Sequence, residues 1–297
     1  MHIAYINHRG DIMDIKDKNI LIIGLGVVGG SYAMALSGAG YKNVYAVNRS
    51  ESSVKKALEM GIIKGGSTNA EDFAGSADVA VIAVYPTGAE ECARNLGRLM
   101  KKGSLVTDVL GIKRYYSQKI SAVLPDYIDY VPAHPMAGRE KRGLDYASAD
   151  VLKGANFIIT PIDRSSSEGI EAVRQLAKDM GFGKIRTLTP DEHDRVIAYT
   201  SQLPHALAVS LINSDEEDSN TGDFIGDSFR DLTRIAEINA DLWQELFIGN
   251  RENLLAAIDM FTAQLSSIRA AVEDMDKESL VKQFEKSSAR RQSLIKK

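Results

Sequence analysis

Short, continuously apolar runs alternate with amphipathic stretches through the first two thirds of the chain. Seven runs have the length and β-branched content of strands: NILIIG (19–24), NVYAVN (43–48), DVAVIAVY (78–85), SLVTDVL (104–110), DYVPA (129–133), ANFIIT (155–160) and KIRTLT (184–189). Between them, SESSVKKALEM (50–60) and SSEGIEAVRQLAKDM (166–180) repeat their apolar positions at helical spacing. Apolar strands joined by helices predict a parallel sheet covered on both faces, with right-handed crossovers. After Thr189 no strand pattern remains, and helical segments are predicted over roughly 190–213, 225–239, 241–274 and 276–295. Pro190 with Asp191 and Glu192 reads as a helix start, since proline suits the first turn and acids suit the positive dipole end. The acidic run 215–223 reads as a solvated loop, and SARRQSLIKK as a solvated helix terminus. A boundary near residue 188 follows. Residues 1–188 form an α/β domain and 189–297 an all-α domain, with 1–18 left as an extra strand or a loose arm.

Composition changes this picture little. A chain of 297 residues has the length for two domains and a real core. Its 44% hydrophobic and 26% charged residues are ordinary for a globular protein. A net charge of −4 favours neither nucleic acid nor an anionic membrane. No apolar run approaches the roughly 20 residues of a membrane span, and the N-terminus lacks a signal-peptide core. The single cysteine, Cys92, excludes an intrachain disulfide and fits a reducing cytoplasm. No metal site is read from the sequence.

The strongest local signal is NILIIGLGVVGGSYAMAL, where Gly24, Gly26 and Gly29 form G-x-G-x-x-G between an apolar strand and a helix. In a dinucleotide-binding domain of the Rossmann type, the first glycine permits the tight turn. The second lets the backbone approach a pyrophosphate, and the third lets helix and strand pack closely. The helix N-terminus offers N–H groups to the phosphates. Leu25, Val27 and Val28 complete the loop, and Val84, Pro86 and Asp108 at later strand ends are expected beside the cofactor. The end of the second strand carries Asn48, Arg49 and Ser50 and no carboxylate. Arg49 can pair with a 2′-phosphate, so NADP is favoured, while Asn48 can still bind a ribose and keeps NAD open. Ser50 also suits a helix N-cap.

A nucleotide domain followed by helices suits several hydride-transfer families. Some of these use a lysine of the helical domain as acid or base. This chain has no lysine between Lys184 and Lys277, which argues against the β-hydroxyacid and 6-phosphogluconate type. The titratable candidates are histidines: His205 in TSQLPHALAVSL, and His134 in VPAHPMAGRE, where flanking prolines stiffen the backbone. His134 is either a positioned functional group on a rigid loop or a strand-end histidine capping a neighbour.

Four stretches in order, GLGVVGGS, AHPMAGRE, TSQLPHALAVSL and SFRDLTRIAEINADLW, resemble the prephenate dehydrogenase family across nearly the whole chain. The resemblance implies NAD(P)-dependent oxidative decarboxylation of prephenate to 4-hydroxyphenylpyruvate, in tyrosine biosynthesis. It also implies a homodimer built through the helical domain. His134 becomes the proton acceptor and Arg234 the partner of a substrate carboxylate, with Asp231 orienting it. His205 contacts substrate, Glu140 is a polar gate residue that Lys141 can pair with, and Trp243 reaches the partner's pocket or packs in the core. One departure stands out. The family often shows G-S-x-K after the strand ending TD, whereas this chain reads TDVLGIK, with Gly111 in place of the serine and Lys113 retained. The missing hydroxyl is then absent, replaced by water, or supplied by another group such as Thr107. Arogenate dehydrogenase is the nearest alternative, followed by a related imine or keto-acid reductase and by a non-catalytic NADP sensor. No length remains for an appended regulatory module or a chorismate mutase segment, so any inhibition by tyrosine is expected at the active site.

Overall fold

The computed structural model describes residues 5–6, 12–13, 15–137, 141–216 and 220–295. Strands β1 (Tyr5–Ile6) and β2 (Ile12–Met13) form a small antiparallel pair, so the N-terminus holds extra strands. A parallel sheet follows. It is built from β3 (Ile20–Ile23), α1 (Val27–Gly38), β4 (Val44–Val47), α2 (Glu51–Glu59), β5 (Gly65–Ser67), β6 (Val79–Ile82), α3 (Pro86–Leu99), β7 (Leu105–Asp108), α4 (Arg114–Val123) and β8 (Asp129–Val131). Its strand order is β5-β4-β3-β6-β7-β8, and all neighbours are parallel. The continuous apolar runs exist because both faces are buried. Ile20, Ile22, Val44, Ala46, Val79 and Val81 pack with α1 residues on one side, while Leu21, Ala80, Ile82 and Val106 pack with α3 and α4 residues on the other.

Two expectations change here. The run DYVPA is not one strand, because Pro132, lacking a donor N–H, separates β8 from β9 (Ala133–Met136). β9 belongs to a second sheet of order β11-β10-β9, antiparallel to β10 (Asn156–Ile159). β10 runs parallel to β11 (Lys184–Thr187), with α5 (Ser167–Asp179) between them in sequence. His134 therefore sits on a strand, opposite Ile158, and not on a loop. Strand β5 gave no sequence signal, because two of its three residues are glycine. A Cβ on Gly66 would lie 2.7 Å from Val54 of α2, so the close helix explains the residue choice.

Beyond β11 the chain is helical. Thr189 and Glu192 form a capping box that starts α6 (Pro190–Ile197) where Pro190 and the acids predicted it. α6 runs through a π-helical turn, Ala198–Gln202, into α7 (Leu203–Asn213). The segment predicted over 225–239 is only α8 (Asp227–Thr233) and a 3₁₀ turn at Arg234–Ala236. The one predicted over 241–274 breaks at Asn250 into α9 (Ala240–Gly249) and α10 (Arg251–Glu273). Residues up to Asn250 make one compact unit and Arg251–Lys297 a second. The second unit contains α10 and α11 (Lys277–Ile295), joined through Met275 at a φ of 51°. Among the described residues no helix is long and apolar enough to cross a membrane.

Candidate active site

In the first unit the strand order reverses between β3 and β6, where carboxyl ends of parallel strands leave a crevice. A cavity of about 410 Å³ opens there. Its floor is Gly26–Val28, Ala83–Pro86 and Val109–Gly111, and its other walls are His134–Ala137, Lys141–Gly143 and helical residues from Ile197 to Leu246.

The glycine loop fits a dinucleotide. Gly24 has φ +106°, and a Cβ on it would sit 2.4 Å from the Ala83 carbonyl oxygen. A Cβ on Gly29 would sit 1.9 Å from the Gly24 carbonyl oxygen, so this glycine permits the helix to pack on the strand turn. Gly26 differs: a Cβ there meets nothing within 4 Å, and it faces the cavity. A side chain would fill that open cradle. Gly26 is also the N-cap of α1, which receives no side-chain cap bond, so its first N–H groups suit a phosphate. Val84 and Pro86 line the same space.

The ribose end is organised differently from the sequence expectation. Asn48 Oδ1 accepts from the Leu25 N–H at 3.0 Å and Asn48 Nδ2 donates to the Ser50 carbonyl, so its side chain braces the glycine loop. Ser50 is the N-cap of α2, accepting from Ser53 N–H. Arg49 is exposed beside that helix start.

His134 anchors a buried polar chain. Its Nδ1 lies 2.8 Å from His193 Nε2, and His193 Nδ1 lies 2.7 Å from Asp194 Oδ1. Asp194 is fixed by the backbone N–H groups of Lys113 (2.8 Å) and Arg114 (2.9 Å). A carboxylate only accepts, so His193 carries its proton on Nδ1 and accepts at Nε2; His134 then donates from Nδ1. That leaves His134 Nε2 as an acceptor, next to Gly111 at the cavity wall. Burial pushes the His134 imidazole well below its ordinary range, and the neighbouring His193 and the Lys113 cation push the same way. Burial also lowers His193, against the opposing Asp194 bond.

These shifts have a sign for stability. Both imidazoles are depressed in the folded state, so below about pH 6.5 the unfolded chain binds more protons. Stability is expected to hold above about pH 6.5 and to fall as the pH drops through the lower folded values. Urea unfolding at a series of pH values checks this, and stability that rises on acidification below that point would contradict it.

His193 was not singled out in the sequence, where DEHD reads only as a helix start. Its available signal was a histidine–aspartate pair one turn past a proline and a capping position. Gln202, Tyr85, Arg142 and Asn239 also line the cavity without a sequence signal. His205 and Trp243 reach it as well, with ring centroids 3.6 Å apart in a stack, so Trp243 forms a wall of its own chain's cavity. His205 Nδ1 donates to the Ser201 carbonyl within the π-helical turn, a feature that recurs at functional sites.

Several sequence candidates lie elsewhere. Asp108 is buried and turned from the cavity, bonded to Lys113 Nζ at 2.5 Å and to the Tyr130 hydroxyl at 2.8 Å. Lys113 is fully buried and also donates to the Ala133 carbonyl. Strand alternation explains Asp108: at the end of β7 it shares the face of Val106, toward Tyr130. Thr107 faces a separate void of about 10 Å³ beside Tyr32, so it supplies no hydroxyl to the site. Arg234 and Asp231 are exposed and do not line the cavity, while Glu140 lies outside the described residues. Lys141 pairs with Glu237 at 3.8 Å.

Fold and cavity together define a class: a dehydrogenase with a dinucleotide cradle at the switch point of a parallel sheet and imidazoles in the wall of the same cavity. The family model for the prephenate dehydrogenase nucleotide-binding domain matches residues 32–186, and that for the prephenate dehydrogenase dimerization domain matches 189–286. The chain belongs to the prephenate dehydrogenase family. It is 29% identical to prephenate dehydrogenase of Bacillus subtilis over 95% of this chain and 77% of that protein. It is 29% identical to cyclohexadienyl dehydrogenase of Zymomonas mobilis over 93% of this chain and 96% of that protein. The crystal structure of Aquifex aeolicus prephenate dehydrogenase, in complex with hydroxyphenyl propionate and NAD+, superposes with a TM-score of 0.86 at 28% identity, covering 93% of this chain and 98% of that one.

Proposed function

We propose that this chain oxidatively decarboxylates prephenate to 4-hydroxyphenylpyruvate in the cytoplasm. It works as a homodimer through its helical part, with residues 1–188 as the cofactor-binding domain and 189–297 as the helical domain, whose residues before Asn250 complete the substrate site. The observation that carries this reading is the orientation of His134, whose acceptor nitrogen faces the cavity that the glycine loop also faces.

Gly26, the α1 N-terminus, Val84 and Pro86 would hold the dinucleotide. When bound, the nicotinamide supplies a hydride acceptor for C4 of the substrate ring. His134 Nε2 takes the C4 hydroxyl proton, a task that needs the neutral imidazole which burial maintains. His193 and Asp194 hold that tautomer and orientation, as the third group does in hydrolase triads. Carbon dioxide leaves C1, the ring becomes aromatic, and the proton on His134 returns to the phenolate oxygen. Protons balance, and the hydride and carbon dioxide account for the remaining change. Apolar walls from Val109, Leu242, Trp243 and Leu246 exclude water around the ring.

The deciding experiment measures reduced nicotinamide formation with prephenate and with arogenate, each with NADP and with NAD. Turnover of prephenate supports the reading. Turnover of arogenate alone keeps the chemistry and changes the substrate, a reading the cyclohexadienyl relative keeps in view. No turnover with any pair removes the assignment.

NADP is the cofactor we favour. Arg49 stands exposed at the start of α2, beside the hydroxyls of Ser50 and Ser52, with no carboxylate from 48 to 50 to repel a phosphate. Replacing Arg49 by alanine is expected to lower kcat/KM for NADP about tenfold more than for NAD, the worth of one charge-assisted bond. Equal loss with both cofactors would remove Arg49 from phosphate recognition.

A further inference from the structure

The proposed substrate carries two carboxylates, and both leave ring carbon C1, opposite the C4 hydroxyl. With that hydroxyl at His134, the carboxylates point away from the buried end of the cavity, toward its rim. Among the described residues, Lys141 and Arg142 are the Lys and Arg side chains that line the cavity. Both are about half exposed, which places them at the rim. Lys141 is a compact, strongly hydrated ammonium, 3.8 Å from Glu237. Arg142 already grips a carboxylate. Its Nη1 donates to Asp241 Oδ2 at 2.9 Å, and its Nη2 donates to Asn239 Oδ1. Asn239 is nearly buried, caps α9, and passes its Nδ2–H to the Tyr85 hydroxyl at 2.9 Å. One nitrogen of the guanidinium is thus held by a fixed, buried neighbour, and the other by an exposed acid on α9. Exposed ion pairs hold weakly and exchange readily.

We propose that Arg142 reads the side-chain carboxylate of the substrate, with Asp241 as the stand-in that the carboxylate displaces. Asn239 orients the fork throughout. Arg142 becomes a specificity-determining residue for ligands that join a para-hydroxylated six-membered ring to a carboxylate-bearing chain. This rests on the substrate class proposed above, though it is tested without turnover.

Trp243, the chain's one tryptophan, lines the cavity and reports binding by its fluorescence. The probes are 3-(4-hydroxyphenyl)propionate and its neutral amide, titrated into the full chain with cofactor present. The parent protein is expected to bind the acid about tenfold more tightly than the amide, as one charge-assisted pair provides. Arg142→Met should collapse that preference to within about twofold, mainly by weakening the acid. Asp241→Asn should move it the other way, since the competing carboxylate is gone. If Arg142 only straps the loop to α9, both variants cut the same tie and change binding in the same direction. That result overturns the proposal, as does a preference that survives in Arg142→Met or is missing from the parent protein. Each of these leaves the prephenate turnover assay to be judged separately.

Discussion

Replacing His134 by asparagine is expected to lower turnover by ~10²–10⁴-fold, the usual value of a positioned general base. Asparagine is the informative choice. Its side-chain N–H can still donate to His193 Nε2, 2.8 Å from Nδ1 in the parent, so the buried chain to Asp194 stays satisfied. What disappears is the Nε2 lone pair at the cavity wall. Dinucleotide affinity should change little, because the cradle is formed by Gly26 and the start of α1. The test is steady-state turnover with saturating substrate and cofactor, beside an independent titration of cofactor binding. A variant that retains more than a tenth of parent turnover would remove His134 as the base. A variant that loses cofactor binding in parallel would point to a collapsed site.

The glycine loop was legible because its determinants are local. The φ of Gly24 and the contact of Gly29 with the Gly24 carbonyl arise within six residues, and sequence spacing encodes them directly. His134 was legible as a residue and illegible as a structure. Flanking prolines suggested a stiff loop, yet Pro132 ends one strand and the next begins at Ala133, which moves the histidine into a second sheet. His193 was hidden because its meaning comes from a partner 59 residues away, brought close only when α6 packs near β9. Asp108 was read as a cavity residue from its place at a strand end, and Lys113 from its place in the family's G-S-x-K run. A strand's alternation gives each side chain one of two faces, and here the face chosen is the buried one. Arg142 lies beyond the run that drew notice to His134, and nothing about a lone arginine after a lysine predicts that it turns into a cavity.

The buried pair itself carries the second large effect. Lys113 and Asp108 each expose 1% of their side chains, and Lys113 also donates to the carbonyl of Ala133, in the peptide that leads into His134. Burial lowers the Lys113 ammonium, and the Asp108 charge opposes that shift. Replacing Lys113 by methionine keeps the volume and leaves Asp108 as an uncompensated buried carboxylate. The Tyr130 hydroxyl and Leu110 N–H bonds to Asp108 soften this penalty without removing it. A loss of ~3–5 kcal/mol is expected in urea unfolding near neutral pH. Adding Asp108→Leu to Lys113→Met should recover most of the loss, because the stranded charge is gone and apolar side chains replace the pair. If the single variant loses less than about 1 kcal/mol, the pair is neither as dry nor as coupled as its geometry indicates. If stability returns in the double variant while turnover does not, the bond to the Ala133 carbonyl is what aligns His134, and the buried cation serves the active site beyond holding the fold.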